Sequence, residues 1–313
     1  MSMDAHPGLP EFDYIRPASL AEASQFLHDH AGAARPLLGG TDIFVRMRDG
    51  DWKDRYLVDV KHLEGMREIS YDPSTGLKIG AAVNMNQVIV FPGVGKHYPM
   101  LAQATHSVAS YQLRTRATIV GNLCNASPAG DTIGSCMLLD GVLNIHGMNG
   151  MRREPLVSFF LGPGMTILNP GDIVTSIQFP VPKPGSVGKY LKHGRNQTSD
   201  LAIVGITVIG YPDESLPSGF RMKLALASVA PVPLVVKQVE AILSQNTIGN
   251  EILAEAAQAA MEACSPIDDV RGSARYRKRM VRNLSFKVLK EVWENVESLV
   301  KIGERQVIPG ARQ

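Results

Sequence analysis

The chain has 313 residues, 44% of them apolar and 20% charged, with a formal net charge of +2. That apolar share excludes a disordered chain, and the length suits two domains or one two-lobed fold. The near-neutral balance removes any global case for nucleic acid, and Gly, Pro or charge breaks every apolar run before the ~18 residues of a membrane span.

In chain order, Ser19 with Glu22 three residues on is a capping box and predicts a helix start. Leu20, Ala23 and Leu27 share its apolar face, and Gly32 ends it. Residues 35–38 read as a short strand running into Leu38-Gly39-Gly40-Thr41-Asp42, and residues 56–60 as a second strand. Residues 69–71 and 77–79 flank Asp72-Pro73-Ser74-Thr75-Gly76, a hairpin signal. Residues 101–110 read as a helix. Thr118-Ile119-Val120 is short and β-branched and meets Gly121-Asn122, then Leu123-Cys124-Asn125-Ala126-Ser127-Pro128-Ala129-Gly130-Asp131. After the apolar segment 133–139 come a strand at 142–146, the turn pair Asn149-Gly150 and the turn Asn169-Pro170-Gly171-Asp172. The latter leads into a strand over 173–179.

Residues 180–185 hold three prolines and a glycine, which neither sheet nor helix continues through, and mark a domain boundary. Beyond it, segments around 189–191, 202–211 and 222–229 read as antiparallel strands, and 235–243 and 252–264 as helices. A longer helix follows Ser273 to about residue 296. Arg271, Arg275, Arg277, Lys278, Arg279 and Arg282 give it a basic start, expected as a solvated face. From about Gly303 the signals are those of a tail or arm.

The chemistry concentrates in the two Gly-rich loops. Gly39 and Gly40 allow positive φ and remove Cβ atoms that would block a ligand, so successive N–H groups can form an anion nest. Thr41 adds a donor, while Asp42 fixes the loop or caps the next element. Taken alone, this loop reads as a strand-to-helix turn with no ligand. In the second loop Thr118, Asn122 and Ser127 bring donors, Gly121 permits close approach, and Asp131 can accept from a ribose hydroxyl or an adenine amine. Neither loop is a Walker A sequence or a Rossmann fingerprint. Together they suggest a diphosphate held from both sides. Lys192, Arg195 and Asp200 lie in one strand–loop–strand stretch, where Lys192 could simply pair with Asp200. The eight histidines show no metal-binding spacing, and no Ser/His/Asp nucleophile signature is present.

Four stretches occur here in a telling order: Leu38-Gly-Gly-Thr-Asp42, Arg116-Ala-Thr-Ile-Val-Gly-Asn-Leu-Cys-Asn-Ala-Ser-Pro-Ala-Gly-Asp131, Gly171-Asp-Ile-Val-Thr-Ser-Ile-Gln-Phe-Pro180 and Lys192-xx-Arg195-xxxx-Asp200-x-Ala202. With the basic helix from Arg271, they give a chain that resembles the FAD-binding medium subunit of molybdenum hydroxylases, the xanthine dehydrogenase and carbon monoxide dehydrogenase flavoprotein family. The resemblance runs from about Phe12 to Val296. One departure is Val120-Gly121, where the family usually has Gly-Gly. That side chain could face the core or narrow the approach to a cofactor.

The resemblance implies an α+β fold: a two-lobed FAD-binding domain of the vanillyl-alcohol-oxidase (PCMH) type plus a C-terminal domain of antiparallel sheet and helices. The expected division is 1–182, with lobes of about 1–65 and 66–182, then 183–300, then a tail at 301–313. By position, the FAD ligands would be Pro36, Leu37, Leu38, Gly39, Gly40, Thr41, Asp42, Ile43, Val108, Thr118, Gly121, Asn122, Ser127, Asp131, Val174 and Lys192. Lys192 would place a positive charge near the pyrimidine end of the flavin. No residue is expected to be catalytic and none to bind metal. The implied activity is that of an oxidoreductase subunit. It would pass electrons from [2Fe–2S] clusters of a small partner subunit through FAD to an external acceptor, with substrate oxidised on a large molybdopterin subunit. The three cysteines, an odd number with no C-x-x-C pair, suit that division: four ligands are normally needed for a cluster. A dimer of heterotrimers is a possible assembly, and a free-standing FAD oxidoreductase of the same fold is the alternative. A third reading, a non-catalytic assembly subunit, rests on Val120 alone. Residues 1–10 lack the apolar core of a signal peptide, so the expected location is cytoplasmic.

Overall fold

The computed structural model describes residues 8–196 and 199–306, which form two compact units. The first unit comprises the described residues up to Lys96, with Val108–Ser127 and Asp140–Val181. It opens with a parallel sheet of β1 (Asp13–Ile15), β2 (Ala34–Leu37) and β3 (Tyr56–Asp59), with β3 central. Parallel neighbours need crossovers, and the helices Leu20–Asp29 and Ile43–Arg48 supply them. The first is capped as expected at one end. Ser19 Oγ accepts from Glu22 N–H, while the Glu22 carboxylate reaches one residue further back, to Ala18 N–H, at 2.7 Å. Leu37, Met47 and Leu57 form the buried centre of this lobe.

The second sheet of the unit is antiparallel. Its strands are β4 (Ile69–Asp72), β5 (Gly76–Gly80), β6 (Val142–Gly147), β7 (Gly150–Pro155) and, after the small ribbon β8 (Phe160–Gly162) and β9 (Met165–Thr166), β10 (Ile173–Phe179). The order is β4-β5-β10-β6-β7, so the strand beyond the Asn169–Asp172 turn lies at the centre. That turn closes by Asp172 N–H to Asn169 C=O at 3.0 Å, and Gly171 at φ +89° takes the position a type II turn requires. The Ser24 hydroxyl donates to the Gly171 carbonyl at 2.7 Å, tying the first lobe's helix to this turn.

The second unit comprises His97–Ser107, Pro128–Leu139 and the described residues from Pro182 onward. Its sheet runs β11 (Val187–His193), β12 (Val204–Pro212), β13 (Phe220–Ala227), β14 (Leu234–Val235), all antiparallel. β12 is buried on both faces, which explains its nearly unbroken apolar run. Val204, Ile206 and Val208 join the large core with Val281, Val288, Leu289 and Val292 of the long helix Ala274–Gln306. On the other face Thr207 meets the helix Ile133–Leu138, where a Cβ on Gly134 would sit 2.6 Å from the Thr207 hydroxyl. The helices Lys237–Gln245 and Asn250–Glu262 complete the core.

Two expectations change here. The long helix continues to Gln306, because its buried stripe at Val281, Val288, Val292 and Val296 anchors a helix already well formed; residues 307–313 of the expected tail lie outside the described residues. The basic start is not wholly a solvated face. Arg277 is only 1% exposed and pairs with Asp269 at 2.6 Å. No helix among the described residues is long and apolar enough to cross a membrane.

Candidate functional site

β2 delivers the chain into the first Gly loop. Gly40 stands at φ +77°, and a Cβ there would lie 2.7 Å from the Phe44 ring. Gly39 is constrained from a different direction. A Cβ there would lie 2.3 Å from the carbonyl oxygen of Arg116 and 2.9 Å from its carbon. The first loop therefore rests, backbone on backbone, against the entry to the second. A side-chain bond repeats the link: Asn125 Nδ2 donates to Asp42 Oδ1 at 3.0 Å, across 83 residues of sequence. Asp42 fixes the loop by this bond and makes no side-chain cap on the helix Ile43–Arg48.

The β-branched run at the second loop begins a helix, Ile119–Asn125. Thr118 decides this. Its backbone is extended at φ −122°, and its Oγ accepts from Gly121 N–H at 2.9 Å, an N-cap bond. Ile119, Val120 and Leu123 then fall on the buried face. Val120 is 1% exposed, so the side chain that replaces the usual glycine is buried in the core. Gly121 has a local reason of its own, since a Cβ there would sit 2.9 Å from Thr118 Oγ. Ala126 ends the helix in the left-handed region at φ 47°. We expect Thr118→Ala to cost about 1 kcal/mol, the usual value of such a cap. An unchanged melting temperature in calorimetry would contradict that role.

The helix Ile119–Asn125 packs on β10, the strand that carries the buried Val174. Val108 is half-buried, and the buried Arg114 holds its carbonyl at 2.8 Å. Asn122 and Ser127 are partly exposed on the helix and just beyond it. Beside the joined loops lies a cavity of about 210 Å³. Leu38 and Gly39 line it from the first loop, Arg116 and Thr118 from the second, and Lys61 and Arg67 complete a cationic rim. No carboxylate among the described residues lines it. A cationic cavity at the junction of two Gly loops fits the dianionic diphosphate of a dinucleotide.

Asp131 and Lys192 meet within the second unit. Lys192 Nζ donates to Asp131 Oδ2 at 2.8 Å and to the Ser107 carbonyl at 3.1 Å. Tyr190 OH donates to Asp131 Oδ1 at 2.5 Å. Both carboxylate oxygens are thus engaged. Burial pushes the Asp131 carboxyl up, partly opposed by the Lys192 charge, and burial beside Asp131 pushes the Tyr190 phenol well up. Pairing of Lys192 with Asp200 is overturned: Asp200 accepts instead from Arg195 N–H at 2.8 Å and lies 3.6 Å from the Arg195 guanidinium. Residues 197 and 198 of that stretch lie outside the described residues. Sequence reasoning misses Tyr190 as a partner, yet it sits two residues from Lys192 on β11 and so shares its face.

Removing the Lys192 charge strands Asp131. We expect Lys192→Met to cost about 3 kcal/mol at neutral pH, the scale of a buried pair losing one member. The carboxyl's native pKa already lies above its ordinary 3.8. The native state therefore binds more protons than the unfolded one, and stability falls as pH rises through that window. Melting curves of the variant should improve on acidification, and a second substitution, Asp131→Asn, should restore stability at pH 7. A loss indifferent to both would contradict the assignment.

The three cysteines are free. Cys136 and Cys264 are buried and Cys124 partly exposed. Burial pushes the Cys124 and Cys264 thiols up to about 12, so neither is a thiolate at neutral pH. No group of three or more metal-ligating side chains occurs among the described residues.

Residues 10–182 match the family model described as the FAD binding domain in molybdopterin dehydrogenase, and residues 189–292 that of the CO dehydrogenase flavoprotein C-terminal domain. The chain is 30% identical over 284 residues to the carbon monoxide dehydrogenase medium chain of Hydrogenophaga pseudoflava, covering 91% of this chain and 98% of that one. It is 28% identical over 279 residues to the xanthine dehydrogenase FAD-binding subunit of Escherichia coli O157:H7, covering 89% and 94%. A solved structure of the Hydrogenophaga pseudoflava carbon monoxide dehydrogenase superposes with a TM-score of 0.86 at 30% identity, over 91% of this chain and 98% of that chain. The class is thus an α+β flavoprotein with a PCMH-type FAD-binding fold followed by a C-terminal sheet-and-helix domain. The chain belongs to the FAD-binding medium-subunit family of the molybdenum hydroxylases, and its relatives are oxidoreductase subunits.

Proposed function

We propose that this chain is the electron-transferring FAD subunit of a multisubunit molybdenum hydroxylase. The observation that carries the reading is the closure of Gly39 onto the Arg116 backbone beside the cationic cavity. FAD held there would supply a two-electron store, filled singly by one-electron centres and emptied to an external acceptor. The chain's residues would bind and orient it. Residues 36–43 would line it, Thr41, Thr118, Asn122 and Ser127 would bring side-chain donors, and Gly121, whose N–H is held by Thr118, would allow close approach, while Val108 and Val174 would offer apolar contact. Asp131 and Lys192, a fixed charge pair within the second unit with the lysine held by two acceptors, belong to the proposed set of FAD residues.

The proposed partners are a large molybdopterin subunit and a small [2Fe–2S] subunit, in a heterotrimer or its dimer, with the cytoplasm as the proposed location. The domain division at 182/183 belongs to the same reading. Expression together with the neighbouring genes tests it. The expected product is a complex of this chain with two partners, containing FAD, iron and molybdenum. A stable single chain that oxidises substrate unaided would favour the free-standing oxidoreductase instead.

A further inference from the structure

The cavity beside the Gly loops has more to offer a ligand than the loops themselves. Most of its polar side chains offer donors, Thr115 excepted, since its hydroxyl proton goes to the Gln112 carbonyl at 2.6 Å. Asn84 and Gln87, both on its wall, form a capping box: each amide oxygen accepts from the other's backbone N–H, at 2.9 and 3.0 Å. The group each side chain has left is its NH₂. The oxygen of Thr118 is occupied by Gly121 N–H, leaving its hydroxyl proton. Arg67 spends Nε on the Lys61 carbonyl at 2.9 Å and keeps its two terminal nitrogens.

The charges point the same way. Lys61 is matched by Asp59 at 2.5 Å, and that carboxylate also receives the Tyr14 hydroxyl. Arg67 and Arg116 form no ion pair with any described residue. Two uncompensated guanidinium groups thus face a cavity that also carries amide and hydroxyl donors. At about 210 Å³ it is smaller than the ~300–1,000 Å³ pockets that enclose a whole drug-sized ligand, so it suits one section of a dinucleotide. Guanidinium pairs match phosphate geometry and charge better than any neutral section of the cofactor.

We infer that this cavity holds the diphosphate of FAD, with Arg67 and Arg116 as its counter-charges and Asn84 and Gln87 as neutral donors. The inference rests on the FAD reading above and adds Arg116 at the entry to the second loop and Arg67, Asn84 and Gln87 outside both loops. Both arginines are exposed, so replacing them leaves the core untouched.

The test uses the full chain stripped of flavin and titrated with FAD by fluorescence quenching. Arg67→Ala and Arg116→Ala should each raise Kd roughly tenfold, and the double variant roughly a hundredfold, the scale of lost charge-assisted bonds. Arg→Lys at both positions should recover part of the loss, and ADP should displace FAD from the unaltered chain. A double variant whose Kd stays within about twofold, or ADP that binds without displacing FAD, would overturn the inference. Failure of the unaltered chain to take up FAD would overturn the reading beneath it.

Discussion

Gly39→Val should yield a folded but colourless chain, with FAD affinity reduced at least a hundredfold. A Cβ at position 39 would stand 2.3 Å from the Arg116 carbonyl oxygen and 3.1 Å from the Ala117 Cα. Those are backbone atoms at the entry to a capped helix, so no side chain can swing aside. The only relief is separation of the two loops. Overpacking of this kind costs about 1–3 kcal/mol in stability, a shift the core of the first unit can absorb. The larger effect falls on binding, because N–H groups from both loops must aim at one diphosphate and the loop shift destroys that aim. The cavity wall formed by Leu38 and Gly39 would move with it. Gly95→Ala is the matching control, since nothing lies within 4 Å of a Cβ there and the residue is helical. It should leave FAD affinity unchanged. Equal affinities for the Gly39→Val and Gly95→Ala variants would show that the loops act separately.

Arg277→Ala should be the most destabilising single change in the second unit. The guanidinium is 1% exposed and donates to the carbonyls of Ile203 and Ser228 at 2.9 Å each, and to Asp269 at 2.6 Å. Truncation strands two carbonyls and leaves the carboxylate to Arg271 alone. Breaking a buried pair by removing one member costs about 3–5 kcal/mol. That corresponds to a fall in melting temperature of order 10 °C for a unit of this size. Asp269, despite its desolvation, is held well below the ordinary carboxylate range by Arg271 and Arg277. Its stabilising contribution is therefore present above the unfolded carboxylate pKa and lost as pH falls below it. Calorimetry of the variant should show the deficit at pH 7 and a smaller difference from the parent in acid. A melting temperature within about 2 °C of the parent at pH 7 would be inconsistent with a buried anchor.

Much of this architecture is written locally. The Ser19 cap, the Asp72–Gly76 hairpin and the Pro170-Gly171 turn each depend on residues within a few positions of one another, and all three occur as the sequence indicates. Features that depend on distant partners are less legible. Thr118-Ile119-Val120 carries strand propensity, but the cap bond to Gly121 and the burial of Ile119 and Val120 turn it into a helix. Arg277 looks like one more cation on a basic helix face, and only the fold shows that Ile203, Ser228 and Asp269 surround it. Asp131 offers no sign in the sequence that Tyr190 and Lys192 close on it. The cavity is the clearest case. The Asn84–Gln87 capping box has a purely local spacing, yet its place beside Arg67, Arg116 and the Gly loops requires the tertiary fold.

That the two Gly loops form one FAD site is tested most directly by the flavin content of the purified full chain. Acid extraction of the native protein should release stoichiometric FAD, and the stripped chain should regain its yellow colour and stoichiometry when FAD is returned. A correctly folded chain that carries no flavin and takes up none when FAD is supplied would contradict a shared site.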